Sequence, residues 1–236
     1  MNILLLGGTG SIGDSVLSVI EENHSELNLF GITFHKNINK SQEIIKDFKP
    51  EFAYVEDRST FEDLKDISDI TFLNGDSSLK ELIEHDDVDV IISAISGFAG
   101  LKATYLAAST GKKILLANKE SIVAGGDLIT ARAKKFNSKI IPIDSEHNAI
   151  FQCLSGERSP DDVQKIIITA SGGPFIGKKI SDLKDVTKDD ALNHPNWDMG
   201  SKISIDSATL VNKCLCLLYT SDAADEGLGV DLGGRR

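Results

Sequence analysis

Six short, nearly unbroken apolar runs punctuate the first 143 positions: Asn2–Leu6, Leu27–Phe34, Phe52–Val55, Val88–Ser93, Ile114–Ala117 and Lys139–Ile143. Runs of this kind suit parallel strands covered by helices on both faces. Between them, Ile12–Glu22, Asn39–Phe48, Leu79–Glu84, Leu101–Ala108 and Ser121–Phe136 space their apolar residues as helices do. The alternation predicts an α/β fold, a doubly wound parallel sheet, over residues 1–143.

The texture changes at Asp144. Asn148–Leu154 reads as a helix and Gln164–Ala170 as a strongly apolar strand. A loop-rich stretch follows, with Gly172-Gly173-Pro174 and His194-Pro195-Asn196-Trp197, then a short strand at Lys202–Ile205 and a helix beginning at Ala208–Asn212. Residues 144–213 therefore predict the opening of a second, partial α+β domain, with a flexible loop near 189–200. From Cys214 to Arg236 no usable apolar period is present, which predicts a disordered tail or foreign sequence. The chain shows no internal repeats.

Of the 236 residues, 41% are hydrophobic and 26% charged, a globular composition with enough apolar material for a core. No apolar run reaches the length of a membrane span, and the start lacks the basic leader of a signal peptide, so no membrane partner is expected. Lys+Arg 25 against Asp+Glu 36 leaves a net charge of −11, which repels phosphate backbones and argues against a nucleic-acid partner. Cys153, Cys214 and Cys216 are too few for a disulfide framework and fit a reducing cytoplasm. Cys214-x-Cys216 lacks a second pair, so zinc is not expected.

Gly8-Thr9-Gly10-Ser11-Ile12-Gly13 matches G-x-G-x-x-G between the first strand and the first helix. Such glycines allow a tight turn and close approach of backbone to a pyrophosphate, which makes the sheet Rossmann-like. The second strand ends in His35-Lys36-Asn37 without the carboxylate that takes the ribose hydroxyls of NAD. A cation beside two hydrogen-bonding groups favours the 2′-phosphate of NADP(H), although a lone lysine is more often simply solvated.

Asp144-Ser145-Glu146 follows the strand Lys139–Ile143 at the edge where ligands sit in open α/β sheets. The two carboxylates can converge on a hard cation such as Mg²⁺ or Mn²⁺. On spacing alone, Asp144 or Ser145 capping a helix is the commoner outcome. Asn118-Lys119-Glu120 lies on the same edge, where a lysine and a glutamate could touch substrate and nicotinamide or merely form an exposed salt pair. Ser171, Ser207, Asn212 and Lys213 could together hold a phosphate; singly, each is more often a turn or cap residue. Trp197 either covers substrate as a lid or anchors its loop. His24, His85 and His147 show no partner in sequence and are expected on the surface.

Taken together, the strings at Gly7–Gly13, Leu115–Ser121, Ile143–Leu154, Thr169–Phe175 and His194–Lys213 resemble the 1-deoxy-D-xylulose 5-phosphate reductoisomerases, and do so in order and spacing. The resemblance implies a cytoplasmic or plastid homodimer that uses NADPH and Mg²⁺, Mn²⁺ or Co²⁺. It implies conversion of 1-deoxy-D-xylulose 5-phosphate to 2-C-methyl-D-erythritol 4-phosphate in non-mevalonate isoprenoid biosynthesis.

By motif match it also assigns residues. Thr9, Gly10, Ser11, Ile12, His35, Lys36, Asn37, Asn118, Glu120 and Gly200 form the NADPH set, the family usually having glycine at the His35 position. Asp144 and Glu146 become metal ligands. Lys119, Ser145 and Glu146 meet the reacting end of the sugar phosphate, and Ser171, His194, Trp197, Ser207, Asn212 and Lys213 hold or cover the rest. Lys119, Glu146 and His194 are the catalytic candidates.

The resemblance also exposes a departure. After Asn-Lys the family continues Gly-Leu-Glu, whose glutamate is the third metal ligand, whereas Asn212-Lys213 is followed by Cys214-Leu215-Cys216. A thiol is a poor ligand for hard Mg²⁺. The expectation is therefore a C-terminally truncated reductoisomerase with an unrelated tail after Lys213, binding NADPH weakly and turning over poorly or not at all. The alternatives are a non-catalytic NADPH-binding module and another two-domain NADP-dependent dehydrogenase.

Overall fold

The structure, a computed structural model, describes residues 1–66, 70–154, 163–197 and 200–221. Two compact units divide it, Met1–Cys153 and Leu154–Arg236, the first running past the boundary at 143 expected from the change of texture.

The first unit is built on strands β1 (Asn2–Leu6), β2 (Asn28–Phe34), β3 (Phe52–Val55), β4 (Thr71–Leu73), β5 (Val90–Ser93), β6 (Lys113–Leu116) and β7 (Lys139–Pro142). All pair in parallel, in the order β4-β3-β2-β1-β5-β6-β7. Helices α1 (Ser11–Glu22), α2 (Ile38–Phe48) and α3 (Arg58–Leu64) precede α4 (Asp76–Glu84), α5 (Leu101–Ala107), α6 (Lys119–Phe136) and α7 (Ser145–Leu154). The six predicted strands are present. β4 and α3 were not predicted, because three residues are too few to show a period and α3 is announced mainly by its Asp57 cap.

Both faces of the sheet are buried, as the unbroken apolar runs require. Leu4 and Leu6 of β1 pack with Leu79, Leu82, Ala103 and Ile129 of α4, α5 and α6. Ile3 and Leu5 pack the other way, with Leu17, Ile20, Ile44 and Leu64 of α1, α2 and α3. Leu4, Leu5 and Leu6 are wholly inaccessible, and such a side chain contributes about 1.5–3 kcal/mol. A bulge between the pairs Ile3↔Leu29 and Leu4↔Gly31 lets Leu29 and Ile32 serve one core while Phe30 serves the other.

The strand order reverses between β1 and β5, so a crevice opens outside their carboxyl ends. The glycine loop after β1 and residues 94–97 after β5 lie at this edge, followed outward by Asn118 after β6 and Asp144 after β7.

The second unit holds α8 (Lys188–Leu192), α9 (Ser201–Ala208) and α10 (Val211–Ser221), with a 3-10 turn at Gly173–Phe175 packed against α8 and α9. Three expectations are corrected here. Gln164–Ala170 forms no strand: no described strand pairs with it, and Ile166 and Ile167 are 45% and 76% exposed. Lys202–Ile205 is helical, because burial recurs four residues apart at Ser204 and Ala208 and Lys202 pairs with Asp206 at 2.6 Å. Ala208 ends α9 rather than starting a helix; Leu210 takes φ +60 and α10 begins at Val211.

Residues 214–221, expected within a disordered tail, continue α10, whereas the rest of that tail, 222–236, lies outside the described residues. No described helix is long and apolar enough to cross a membrane.

Candidate active site

Three glycines shape the loop after β1 for distinct reasons. A Cβ on Gly8 would lie 2.3 Å from the Ile32 side chain, and one on Gly13 only 2.2 Å from the Gly8 carbonyl oxygen. Both glycines are therefore demanded by packing within the chain. A Cβ on Gly10 would meet nothing nearer than the Gly7 oxygen at 3.6 Å, so its bareness leaves room for something else. Gly10 is also the N-cap of α1 and provides no side-chain cap, which leaves the N–H groups of the first turn directed at the crevice. This is the cradle a pyrophosphate fits.

His35, Lys36 and Asn37 follow β2 and are exposed. Asn37 caps α2, accepting from Lys40 N at 3.2 Å. Lys36 Nζ lies 3.4 Å from Asp57 Oδ1, a neighbour at the end of β3 that the sequence reading missed. Hydrogen bonds from the Thr60 backbone and hydroxyl, with Lys36 adding less, hold the Asp57 carboxyl below its usual range.

Asn118 is 2% exposed. Its Oδ1 caps α6 by accepting from Ser121 N at 2.6 Å, and its Nδ2 donates to the Ile95 and Gly97 carbonyls. Both donors are thus committed to the loop after β5, the loop whose Ala94 and Ile95 backbone would lie within 3 Å of a Cβ on Gly7. Beneath it, the hydroxyls of Ser93 and Thr104 bond at 2.7 Å, fully buried between β5 and α5.

Lys119 begins α6 after β6, and Asp144 immediately precedes α7 after β7. The sheet order brings them together: Lys119 Nζ lies 3.0 Å from Asp144 Oδ2, with both side chains largely buried. Asp144 Oδ1 accepts from His147 Nδ1 at 2.7 Å and caps the helix through His147 N at 3.4 Å. Burial acts to raise the Asp144 pKa. The His147 hydrogen bond and the Lys119 charge outweigh it and hold the carboxyl well below the usual carboxylate range.

Asp144 therefore caps α7 and carries an ionised carboxylate at the same time. Ser145 and Glu146 occupy the first turn of α7, Ser145 exposed and Glu146 half-buried, and Glu120 is half-buried in the first turn of α6. The expectation that His147 is a surface residue is corrected: it is 7% exposed, placed against Asp144 by their three-residue separation along a helix start. His85 is half-buried at the surface, its ring 4.9 Å from Phe30 and 5.4 Å from Phe52. His24 is exposed, as expected.

In the second unit, Ser171 Oγ lies 3.0 Å from His194 Nε2 and 3.3 Å from Ser207 Oγ. The positive φ of Gly173, +60, lets the chain turn tightly against α9, where a Cβ would sit 3.0 Å from the Ser207 carbonyl oxygen. Trp197 is 58% exposed and stacks on His194 with ring centroids 5.1 Å apart. Gly200 caps α9, and Asn212 and Lys213 form the first turn of α10, which packs on α9. The structure thus gathers Lys119 with Asp144 in one unit, and Ser171, His194, Trp197 and Ser207 in the other.

A parallel sheet with a glycine cradle at its switch point and an ion-paired carboxylate on the same edge defines a dinucleotide-binding α/β protein. Known proteins narrow this. The signature of 1-deoxy-D-xylulose 5-phosphate reductoisomerase matches residues 3–126, and that of the family's C-terminal domain matches residues 140–221. The 1-deoxy-D-xylulose 5-phosphate reductoisomerase of Francisella tularensis subsp. novicida is 50% identical over 216 residues, which is 90% of this chain and 56% of that protein. The Clostridium botulinum enzyme is 45% identical over 91% of this chain and 57% of its own length.

Among solved structures, a DOX-P reductoisomerase with NADPH, fosmidomycin and magnesium superposes with a TM-score of 0.87 at 38% identity, covering 95% of this chain and 58% of the other. The Zymomonas mobilis enzyme with NADPH gives 0.82 at 38% identity, covering 95% of this chain and 58% of the other. The chain belongs to the 1-deoxy-D-xylulose 5-phosphate reductoisomerase family, and it spans a little over half the length of these relatives. The match to residue 221 and the unbroken α10 both continue past Lys213, beyond the point where the sequence pattern departs from the family.

Proposed function

We propose that this chain carries the NADPH- and divalent-cation-dependent conversion of 1-deoxy-D-xylulose 5-phosphate to 2-C-methyl-D-erythritol 4-phosphate. The observation that carries the reading is the Lys119–Asp144 pair, a buried ammonium on a carboxylate held ionised, at the same sheet edge as the glycine cradle. Thr9, Gly10, Ser11 and Ile12 would hold the pyrophosphate on the N-terminus of α1, and His35, Lys36 and Asn37 the ribose phosphate. Asn118 serves by fixing the loop after β5, while Glu120 and Gly200 complete the cofactor set.

Asp144 and Glu146 are hard oxygen donors that fit Mg²⁺ or Mn²⁺, with water and substrate oxygens completing the shell. When bound, the cation supplies Lewis acidity to neighbouring carbonyl and hydroxyl oxygens and the nicotinamide supplies a hydride. The chain's own groups do the rest. Asp144 stays anionic at neutral pH, because its carboxyl is held far below that range. Lys119 donates hydrogen bonds to an oxygen that gains charge, and Ser145 and Glu146 orient the same end of the sugar. Ser171, His194, Ser207, Asn212 and Lys213 supply donors for the phosphate. Trp197 is suited to exclude water from a reactive enol-like species.

Among the described residues no disulfide joins Cys153, Cys214 or Cys216, which supports a cytoplasmic setting, and the family resemblance supports a homodimer.

The test is titration of NADPH and of Mn²⁺ against the chain, followed by NADPH oxidation with the pentulose phosphate. Expected are saturable binding of both, weakening of Mn²⁺ binding in Asp144→Asn and Glu146→Gln, and slow oxidation that requires the metal. Mn²⁺ binding indifferent to both substitutions, or no NADPH binding, overturns the reading.

A further inference from the structure

In dinucleotide folds the acid that takes the ribose hydroxyls ends the second strand, and here β2 runs into His35-Lys36-Asn37 without one. The neighbouring strand supplies it. β2 and β3 pair with Phe34 opposite Val55, and the ladder continues through Glu56 N, which donates to Phe34 O at 3.0 Å. Two residues further along each strand, that register sets Asp57 opposite Lys36, and their side chains meet at 3.4 Å.

The two partners are not equally free. Asp57 Oδ2 accepts from both Thr60 N and Thr60 Oγ1 at 2.9 Å, so one carboxylate oxygen is committed to starting α3 and Oδ1 is the one that faces Lys36. The Asp57 side chain is 23% exposed and that of Lys36 64%, which makes Asp57 the fixed member of the pair and Lys36 the movable one. The Thr60 bonds also keep the carboxyl ionised at neutral pH.

We propose that Asp57 is a specificity-determining residue at the 2′-position, its Oδ1 repelling the 2′-phosphate of NADPH and accepting from the 2′-hydroxyl of NADH, so that the chain binds both cofactors and Lys36 tips the balance toward NADPH. The proposal rests on the cofactor reading above. A phosphate oxygen bonded to Lys36 Nζ at about 2.8 Å lies within roughly 6 Å of Asp57 Oδ1. That is inside the screening length of about 8 Å at physiological salt, so a phosphate carrying close to two negative charges feels the carboxylate.

The test is the ratio of NADH to NADPH dissociation constants, read by fluorescence titration of the full chain. In D57N the cap still needs an acceptor, so the amide oxygen takes the place of Oδ2 and the amide N–H group replaces Oδ1. NADPH should then bind about threefold to tenfold more tightly, as expected for losing one charge at this range. NADH should bind about threefold to tenfold more weakly for want of the acceptor. The ratio therefore rises at least about tenfold, the product of the two lower changes. Asp57→Ser, a second neutral cap, removes the charge without adding a donor and should move the ratio the same way by a smaller factor.

A residue that only caps α3 would weaken both cofactors alike, so a ratio unchanged in both variants overturns the proposal while leaving the cofactor reading in place. A ratio that falls does the same, since it would mean that Asp57 holds Lys36 ready for the phosphate. Wild-type chain that binds neither cofactor overturns the cofactor reading and this proposal with it.

Discussion

A methyl added at Gly13 would sit 2.2 Å from the Gly8 carbonyl oxygen, whereas at Gly10 it meets only ordinary contact at 3.6 Å. The same substitution should therefore give opposite phenotypes three residues apart. Gly13→Ala forces two backbone segments apart and should cost about 1–3 kcal/mol in urea unfolding. Gly10→Ala has a compatible backbone, φ −87 and ψ 173, so its stability should fall by less than about 1 kcal/mol while NADPH affinity drops at least about tenfold. Equal stability losses would remove the argument that Gly10 is bare for a ligand's sake.

Lys119 invites a second comparison, since its ammonium occupies the carboxylate that a metal would use. Lys119→Met should tighten Mn²⁺ binding by about tenfold and abolish NADPH oxidation, as read by calorimetry and by rate. Weaker Mn²⁺ binding in that variant would mean the two cations do not compete for Asp144. At this scale the sequence named candidate residues and not what they touch. Lys119 and Asp144 are 25 positions apart and meet only because β6 and β7 are neighbours. Asn118 reads as a cofactor contact, yet its amide is bound to the loop after β5. His147 was missed, as Asp57 was, although its place three positions after an acidic helix cap was a usable signal.

At the scale of elements, short helices depend on their caps, and α3 shows it. Asp57 accepts from Thr60 N and Oγ1, both at 2.9 Å, and these bonds lower its pKa. A carboxyl whose folded pKa is depressed adds stability above the unfolded value of about 3.9, and that stability disappears as pH falls through the folded value. Asp57→Asn keeps a capping oxygen but does not titrate. The stability gap between wild type and variant, followed by urea unfolding, should be constant from about pH 7 to pH 5 and shrink below about pH 4. A gap that is flat into acid would mean the Asp57 charge adds nothing beyond its oxygen.

The elements that were legible were those buried on both faces, since continuous apolar runs of four or more residues leave little alternative. Those misread were four to seven residues long: Lys202–Ile205 alternates and Gln164–Ala170 is a continuous apolar run, but no described strand lies beside either. Lys202–Ile205 alternates like a strand, yet the buried Ser204 and Ala208 repeat at helical spacing.

For the molecule as a whole, the two units differ in how their apolar residues are used. The first carries two continuous cores on either side of its sheet. The second exposes Ile166, Ile167, Ile176 and Ile180, the last at 87%. Backbone hydrogen bonds that are buried within a paired sheet open only with the unit that contains them, while an unpaired stretch exchanges freely. Amide exchange should therefore be slowest in β1, β2 and β5 and fast across residues 163–170.

NADPH at a hundred times its Kd should add about 2.7 kcal/mol to the opening of the first unit, because it binds the folded cradle and not the unfolded chain. The added protection should centre on the glycine loop, the start of α1 and the Asn118-held loop after β5. Protection spread evenly over both units would show that cofactor binding and folding are coupled through the entire chain, and the proposal that the cofactor rests mainly on the glycine loop of the first unit would have to be abandoned.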